Sequence, residues 1–131
     1  MTPEESQNNL NSIRRKTDEL LEDLGPEPVE ELAQSFVDDA PGTIVELTTF
    51  AEQKDVSNLG RTAHSFKAIA QIYGLEATAN LAQEIEQACL AENLGEACRL
   101  LPLLERSTEA SVTELINFLR NEHQIQLRRP Q

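Results

Sequence analysis

Wound as a helix, the stretch T-A-H-S-F-K-A-I-A-Q-I-Y-G (Thr62 to Gly74) and the residues just before it carry two stripes. Leu59, Ala63, Phe66, Ala70 and Tyr73 recur at four- and three-residue steps and make a narrow apolar stripe. Gly60, His64, Lys67 and Gln71 make a second, roughly 120° further round the wheel. That separation keeps the His64 imidazole out of the core and on display. From Val56 to Leu75 there is no acidic residue, in a chain whose formal net charge is −12. Arg61 and Lys67 flank the ring, and nearby cations disfavour the imidazolium form, which predicts a neutral imidazole near pH 7. A neutral imidazole is a nucleophile. Gly60 and Ala68, one turn to either side, leave little bulk above it, so a partner's acidic pocket could close over the ring. Arg61 would help to dock that partner. Gln71 would bond whatever group sits on the ring, or nothing.

Complete catalytic constellations are missing. With two His in all, His64 has no carboxylate to orient it within its own stretch, and there is no Ser/His/Asp or Cys/His arrangement. Metal binding lacks a second nearby His or Cys, and no Gly-rich loop is present to cradle a phosphate. Cys89 and Cys98 have no metal-site spacing and read as reduced packing thiols. The chemistry of His64 must therefore be shared with a partner.

His64, Lys67, the small Ala68, Gly74 and the following L-A-Q-E-I-E at Leu81 to Glu86 resemble the signature of the histidine-containing phosphotransfer (HPt) domains of multistep two-component signalling. In that family a phosphorylatable His is followed by Lys at three residues, then Gly or another small residue, then Gly at ten residues and a second helix. The usual Gly is Ala68 here, the smallest possible departure. The resemblance covers about Val29 to Leu119. It implies a phosphoryl carrier rather than a true enzyme, with His64 as the phosphorylated residue, Lys67 beside the phosphoryl oxygens, and Gly60, Arg61, Ala68 and Gln71 on the docking surface. Implied partners are response-regulator receiver domains, which bring a phosphoaspartate and Mg²⁺, and a hybrid histidine kinase, since the chain has no ATP site or cofactor of its own. Glu86 falls on a family position and reads as structural. The alternative is a helical adaptor that uses the His64 face for binding without being phosphorylated. A phosphatase acting on receivers would need an acid or amide beside the scissile bond, and Gln71 is its one candidate.

Composition supports a helical scaffold. The 131 residues suit one domain; 4% aromatic content, no Trp and only five Gly fit helices rather than strands. The acidic balance excludes nucleic acid as a partner. No apolar run approaches the roughly 20 residues that span a bilayer, and the first thirty residues show no signal-peptide core, so a cytoplasmic protein without membrane association is expected.

In chain order, a first helix carries Leu10, Ile13, Thr17, Leu20, Leu21 and Leu24 and stops at Gly25-Pro26. It could pack on the bundle or pair with another copy. Pro28 then opens a short helix with Val29, Leu32, Ala33, Phe36 and Val37 inward, ended by Asp38 to Gly42. A third helix points Ile44, Val45, Leu47, Phe50 and Ala51 inward. Asp55 caps the histidine helix, Gly74 ends it, and the tight turn lays the next helix, about Glu76 to Ala91, antiparallel against it. The last helix kinks near Pro102 and buries Ala97, Leu100, Leu101, Leu104, Ser111, Leu115 and Phe118 or Leu119. The expectation is an all-α, antiparallel up-and-down four-helix bundle with additional N-terminal helices, organised as an extension over 1–27, the HPt-like bundle over 28–121 and a tail over 122–131 in which His123 has no special role.

Overall fold

The computed structural model describes residues 2–129, and among these it has five helices and no strand. They are α1 (Pro3–Leu24), α2 (Pro26–Glu52), α3 (Val56–Ile72), α4 (Glu76–Leu90) and α5 (Leu94–His123). Each of α2 to α5 packs on the next, and α5 closes back onto α2, giving the antiparallel four-helix bundle that the sequence predicts. Every link between helices is three residues or shorter. Side-chain caps hold three of the starts: Thr2, Asp55 and Asn93 accept the backbone N–H groups of Glu5, Asn58 and Glu96 at 3.1, 3.2 and 3.1 Å.

The segment around Pro41 differs from expectation. The sequence predicts two short helices, with Pro28 at the start of the first; the structure has one long α2, opened by Pro26 and running unbroken through Pro41. A proline inside a helix costs about 3 kcal/mol. Beyond it, however, Ile44, Leu47 and Ala51 continue in phase with Val29, Ala33, Phe36, Val37 and Ala40, and all are buried. Burying one large aliphatic side chain returns about 1.5–3 kcal/mol, so an uninterrupted stripe outweighs the lost hydrogen bond. The same phase turns Leu32 and Val45 outward, 48% and 65% exposed, where the shorter helices predicted them inward. α5 likewise passes through Pro102 as one helix, and both Phe118 and Leu119 are buried.

The core is mostly aliphatic, with one small aromatic group. Phe36 of α2 meets Phe66 of α3 at 6.1 Å and Tyr73 at 5.3 Å between ring centroids. Between α4 and α5 the buried Thr78 hydroxyl bonds Ser107 at 2.9 Å and Ser111 at 2.8 Å, satisfying polar atoms that would otherwise weaken the seam.

α1 packs on the bundle rather than standing free, against α2, α4 and α5. Ile13 and Thr17 are fully buried, Asn9 donates to Glu114 at 2.9 Å, and Arg14 pairs with Glu122 at 3.1 Å. Its inner face is nonetheless partly polar: Asn9 Oδ1, Ser12 Oγ and Thr17 Oγ1 are buried without a partner. The segment after α5, expected as a tail, is tied down too. Ile125 is buried, and the Gln34 side chain both donates to the Arg128 carbonyl at 3.0 Å and accepts from its N–H at 2.8 Å. His123, read as a bystander, bonds Asp18 of α1 at 2.9 Å.

α1 also seats on the α3–α4 turn. Gly74 has φ +71°, and a Cβ placed there would collide with the Ser12 carbonyl group. Gly74→Ala should therefore lose about 2 kcal/mol or more in urea denaturation, from left-handed strain and the clash with α1. Gly42→Ala, in open space within α2, should change stability in the opposite direction by up to about 1 kcal/mol. Equal effects at the two glycines would show that α1 does not press on the turn.

Candidate functional site

The site is built across the seam between α3 and α4. α3 buries Leu59, Ala63, Phe66 and Ala70, which leaves the stripe of His64 and Lys67 at the edge facing α4. On α4 the buried Ala82, Ile85 and Cys89 set the inner face, and Glu86, next to Ile85, projects along the same edge. The three-residue connection at Gly74 makes the helices antiparallel, so residues nearly equidistant from it face each other.

That register brings a carboxylate to the imidazole. Glu86 Oε2 lies 2.7 Å from His64 Nδ1, and Glu86 Oε1 accepts a hydrogen bond from Lys67 Nζ at 2.9 Å. The His64 side chain is 59% exposed, whereas Lys67 and Glu86 are 18% and 17% exposed. The ring is thus presented to solvent and the pair that holds it is half-buried. Lys67's hydrogen bond, followed by the hydrogen bond and charge of His64, holds the Glu86 carboxyl below the usual carboxylate range against the opposing effect of burial. An ionised carboxylate only accepts. The proton of a neutral His64 ring must then sit on Nδ1, pointing at Glu86, and the lone pair on Nε2.

This corrects the expected electrostatics. The sequence predicts an imidazole flanked by two free cations; in the fold Lys67 is paired with Glu86, and Arg61 turns back along its own helix to Ser57 Oγ at 3.4 Å. The immediate neighbour of the ring is an anion from the next helix. A neutral ring remains nucleophilic at Nε2 here because Glu86 fixes its tautomer.

The remaining candidates divide. Arg61, Ala68 and Gln71 are exposed on α3. Gly60 is half-buried, and a Cβ there would come within 3.1 Å of Cys89 Cβ; its small size serves the close approach of α3 and α4 as well as the surface. Gly60, Arg61, His64, Glu86, Cys89 and the exposed Leu90 line a groove of about 420 Å³ beside the ring. Cys89 is buried as expected, its thiol pushed up by that burial, while Cys98 is exposed; both are free. Among the described residues no three His, Cys, Asp or Glu side chains converge as metal ligands, and no helix is long and apolar enough to cross a membrane.

The family model described as the Hpt domain matches residues 31–122, from inside α2 to the end of α5. The chain belongs to the Hpt domain family. No curated protein and no solved structure matches it. Membership implies histidine phosphotransfer in phosphorelays as the class of work. The match takes in the whole His64–Lys67–Glu86 cluster of this Hpt domain and leaves α1 outside. Glu86 is the functional candidate that sequence reading missed. The available signals were the absence of acidic residues in α3 and a turn short enough to set Glu86 beside His64.

The depressed Glu86 pKa has a testable consequence. A carboxylate of this kind adds stability above its unfolded value, near 4.5, and loses it as pH falls through the lower folded value. Wild type should therefore be more stable than Glu86→Gln at pH 7, and the difference should shrink below about pH 4.5. Urea denaturation of both proteins across that range provides the check; a pH-independent difference would mean that the carboxylate's charge is not used.

Proposed function

We propose that this Hpt domain is a phosphoryl carrier in a multistep two-component phosphorelay, receiving the phosphoryl group of a receiver-domain phosphoaspartate on His64 and passing it to another receiver. The single observation that carries the reading is the Glu86 bridge, because it leaves Nε2 as the nucleophilic nitrogen on the exposed side chain of the pair.

In the forward step Nε2 attacks phosphorus in line with the aspartyl oxygen. The N–P bond forms as the P–O bond breaks, and its electron pair returns to the aspartate carboxylate. The Nδ1 proton stays on the ring, so positive charge develops on the imidazole next to Glu86, which stabilises it. Lys67 is held within the same cluster and can turn its ammonium from Glu86 to a phosphoryl oxygen. A divalent ion carried by the receiver would neutralise the remaining phosphoryl charge. The reverse step, onto a second receiver, uses the same groups. Both linkages are high in energy, and neither direction needs ATP at this domain.

Docking follows from the α3 surface. Arg61, Ala68 and Gln71 present small or polar side chains around the ring, which suits a receiver closing over it. Gly60 contributes by letting α4 lie close. Added bulk at Ala68 tests docking cleanly, whereas bulk at Gly60 would also press on Cys89.

Incubation with a phosphorylated receiver tests the proposal. His64→Gln should abolish acid-labile, base-stable labelling with helix content and melting unchanged, because the side chain is largely exposed. Glu86→Ala should slow transfer by about tenfold or more, and Lys67→Ala should slow it and shorten the phosphohistidine lifetime. Ala68→Gln should reduce receiver binding and transfer together without lowering the melting temperature. Full labelling of His64→Gln would overturn the carrier reading and leave the domain as an adaptor.

A further inference from the structure

The seam between α2 and α5 is the one opposite the His64 site, since α3 and α4 pack on each other and separately on α2 and α5. Between the C-terminal half of α2 and the middle of α5 it holds a groove of about 690 Å³. Ala40, Ile44, Val45 and Val112 give it an apolar lining, and Val45 is 65% exposed. Three of the four threonines in the wall do not make it polar. The hydroxyls of Thr48, Thr49 and Thr108 donate to the carbonyls of Ile44, Val45 and Leu104 in their own helices at 3.0, 2.9 and 2.7 Å, so these residues offer methyl groups to the groove. Pro41 belongs to the same wall, and its missing N–H leaves the Val37 carbonyl without its usual helical donor.

Three of the four charged side chains at the groove are acidic. Glu52, Glu105 and Glu109 line it, and none of them takes part in an ion pair among the described residues. Arg129, at one end, donates to Thr113 Oγ1 at 3.3 Å rather than to these carboxylates.

We propose that this groove is a second docking site, for a segment of a protein partner that carries aliphatic anchors next to Lys or Arg. The apolar lining rewards burial of the aliphatic side chains, and the three carboxylates select cationic neighbours. The net charge of −12 attracts such a segment from a distance and repels nucleic acid and anionic lipid. A second copy of this chain fits less well, because at a net charge of −12 it brings mostly carboxylates to a groove that already holds three. A partner seated between α2 and α5 leaves the α3–α4 face open, so the domain can be held by one protein while His64 meets another.

The test uses the full chain and a fluorescein-labelled synthetic amphipathic peptide built of Leu and Lys. A Ser/Lys peptide of equal charge and a Leu/Glu peptide serve as comparators. Fluorescence anisotropy should show binding of the Leu/Lys peptide that weakens with salt, with both comparators at least about tenfold weaker. Val45→Lys changes an exposed side chain, so its melt should match wild type while peptide affinity falls about tenfold; Glu105→Lys/Glu109→Lys should behave alike. Amide shifts in NMR spectra should concentrate in residues 37–52 and 105–113. The proposal is overturned if the Leu/Lys peptide does not bind, if the Ser/Lys peptide binds as well, if Val45→Lys has no effect, or if the shifts gather around His64. Concentration-dependent self-association that Val45→Lys abolishes would also overturn it, assigning the groove to a second copy.

Discussion

At Gly74 the backbone takes φ +71° and passes so close to α1 that no side chain fits between them. Two things depend on this glycine. The left-handed residue ends α3 and allows α4 to begin at Glu76, which makes the two helices an antiparallel pair with a short, fixed connection. The absence of a Cβ also lets the backbone of Ser12 and Ile13 lie directly on the turn, where Ile13 becomes fully buried. The short connection sets the register of α3 against α4, and with it the position of Glu86 relative to His64, while α1, which lies outside the family match, packs on the outside of that turn.

The cluster formed by that register serves orientation more than stability. Ion pairs near a protein surface contribute little to folding, and the Glu86 bridge is only partly shielded from water. Its effect is geometric and electronic. A carboxylate on Nδ1 settles which nitrogen carries the lone pair, and the same carboxylate restrains an ammonium beside the ring. One acidic residue therefore supplies what the histidine helix itself lacks. In a chain with 23 acidic residues against 11 Lys and Arg, the discriminating feature is the placement of this carboxylate between an imidazole and an ammonium.

The bundle also separates its surfaces. Four helices in a ring have two pairs of opposite seams. The α3–α4 seam carries the imidazole, and the α2–α5 seam carries the apolar groove. Continuity of α2 through Pro41 underlies the second of these: the unbroken helix keeps Ile44 and Leu47 in the buried stripe and turns Val45 out to the groove.

Local pattern alone determined the helical class, the caps at Asp55 and Gly74, the buried stripe from Leu59 to Tyr73 and the exposure of His64, because each depends on a period of 3.6 residues or on the backbone preference of a single residue type. Lys67 was legible as a basic neighbour for the same reason. The fate of Pro41 was not: its local penalty is visible in the sequence, but the burial that outweighs it exists only once α3 and α5 are in place. Nor could pattern choose whether α1 would pack or pair, since Asn9, Ser12 and Thr17 read as polar until the bundle covers them. Glu86 is the clearest case. Its type and its distance from Gly74 were on view, yet a carboxylate on another helix acquires its meaning from Å-scale register across a seam, and only the tertiary structure places Oε2 2.7 Å from Nδ1.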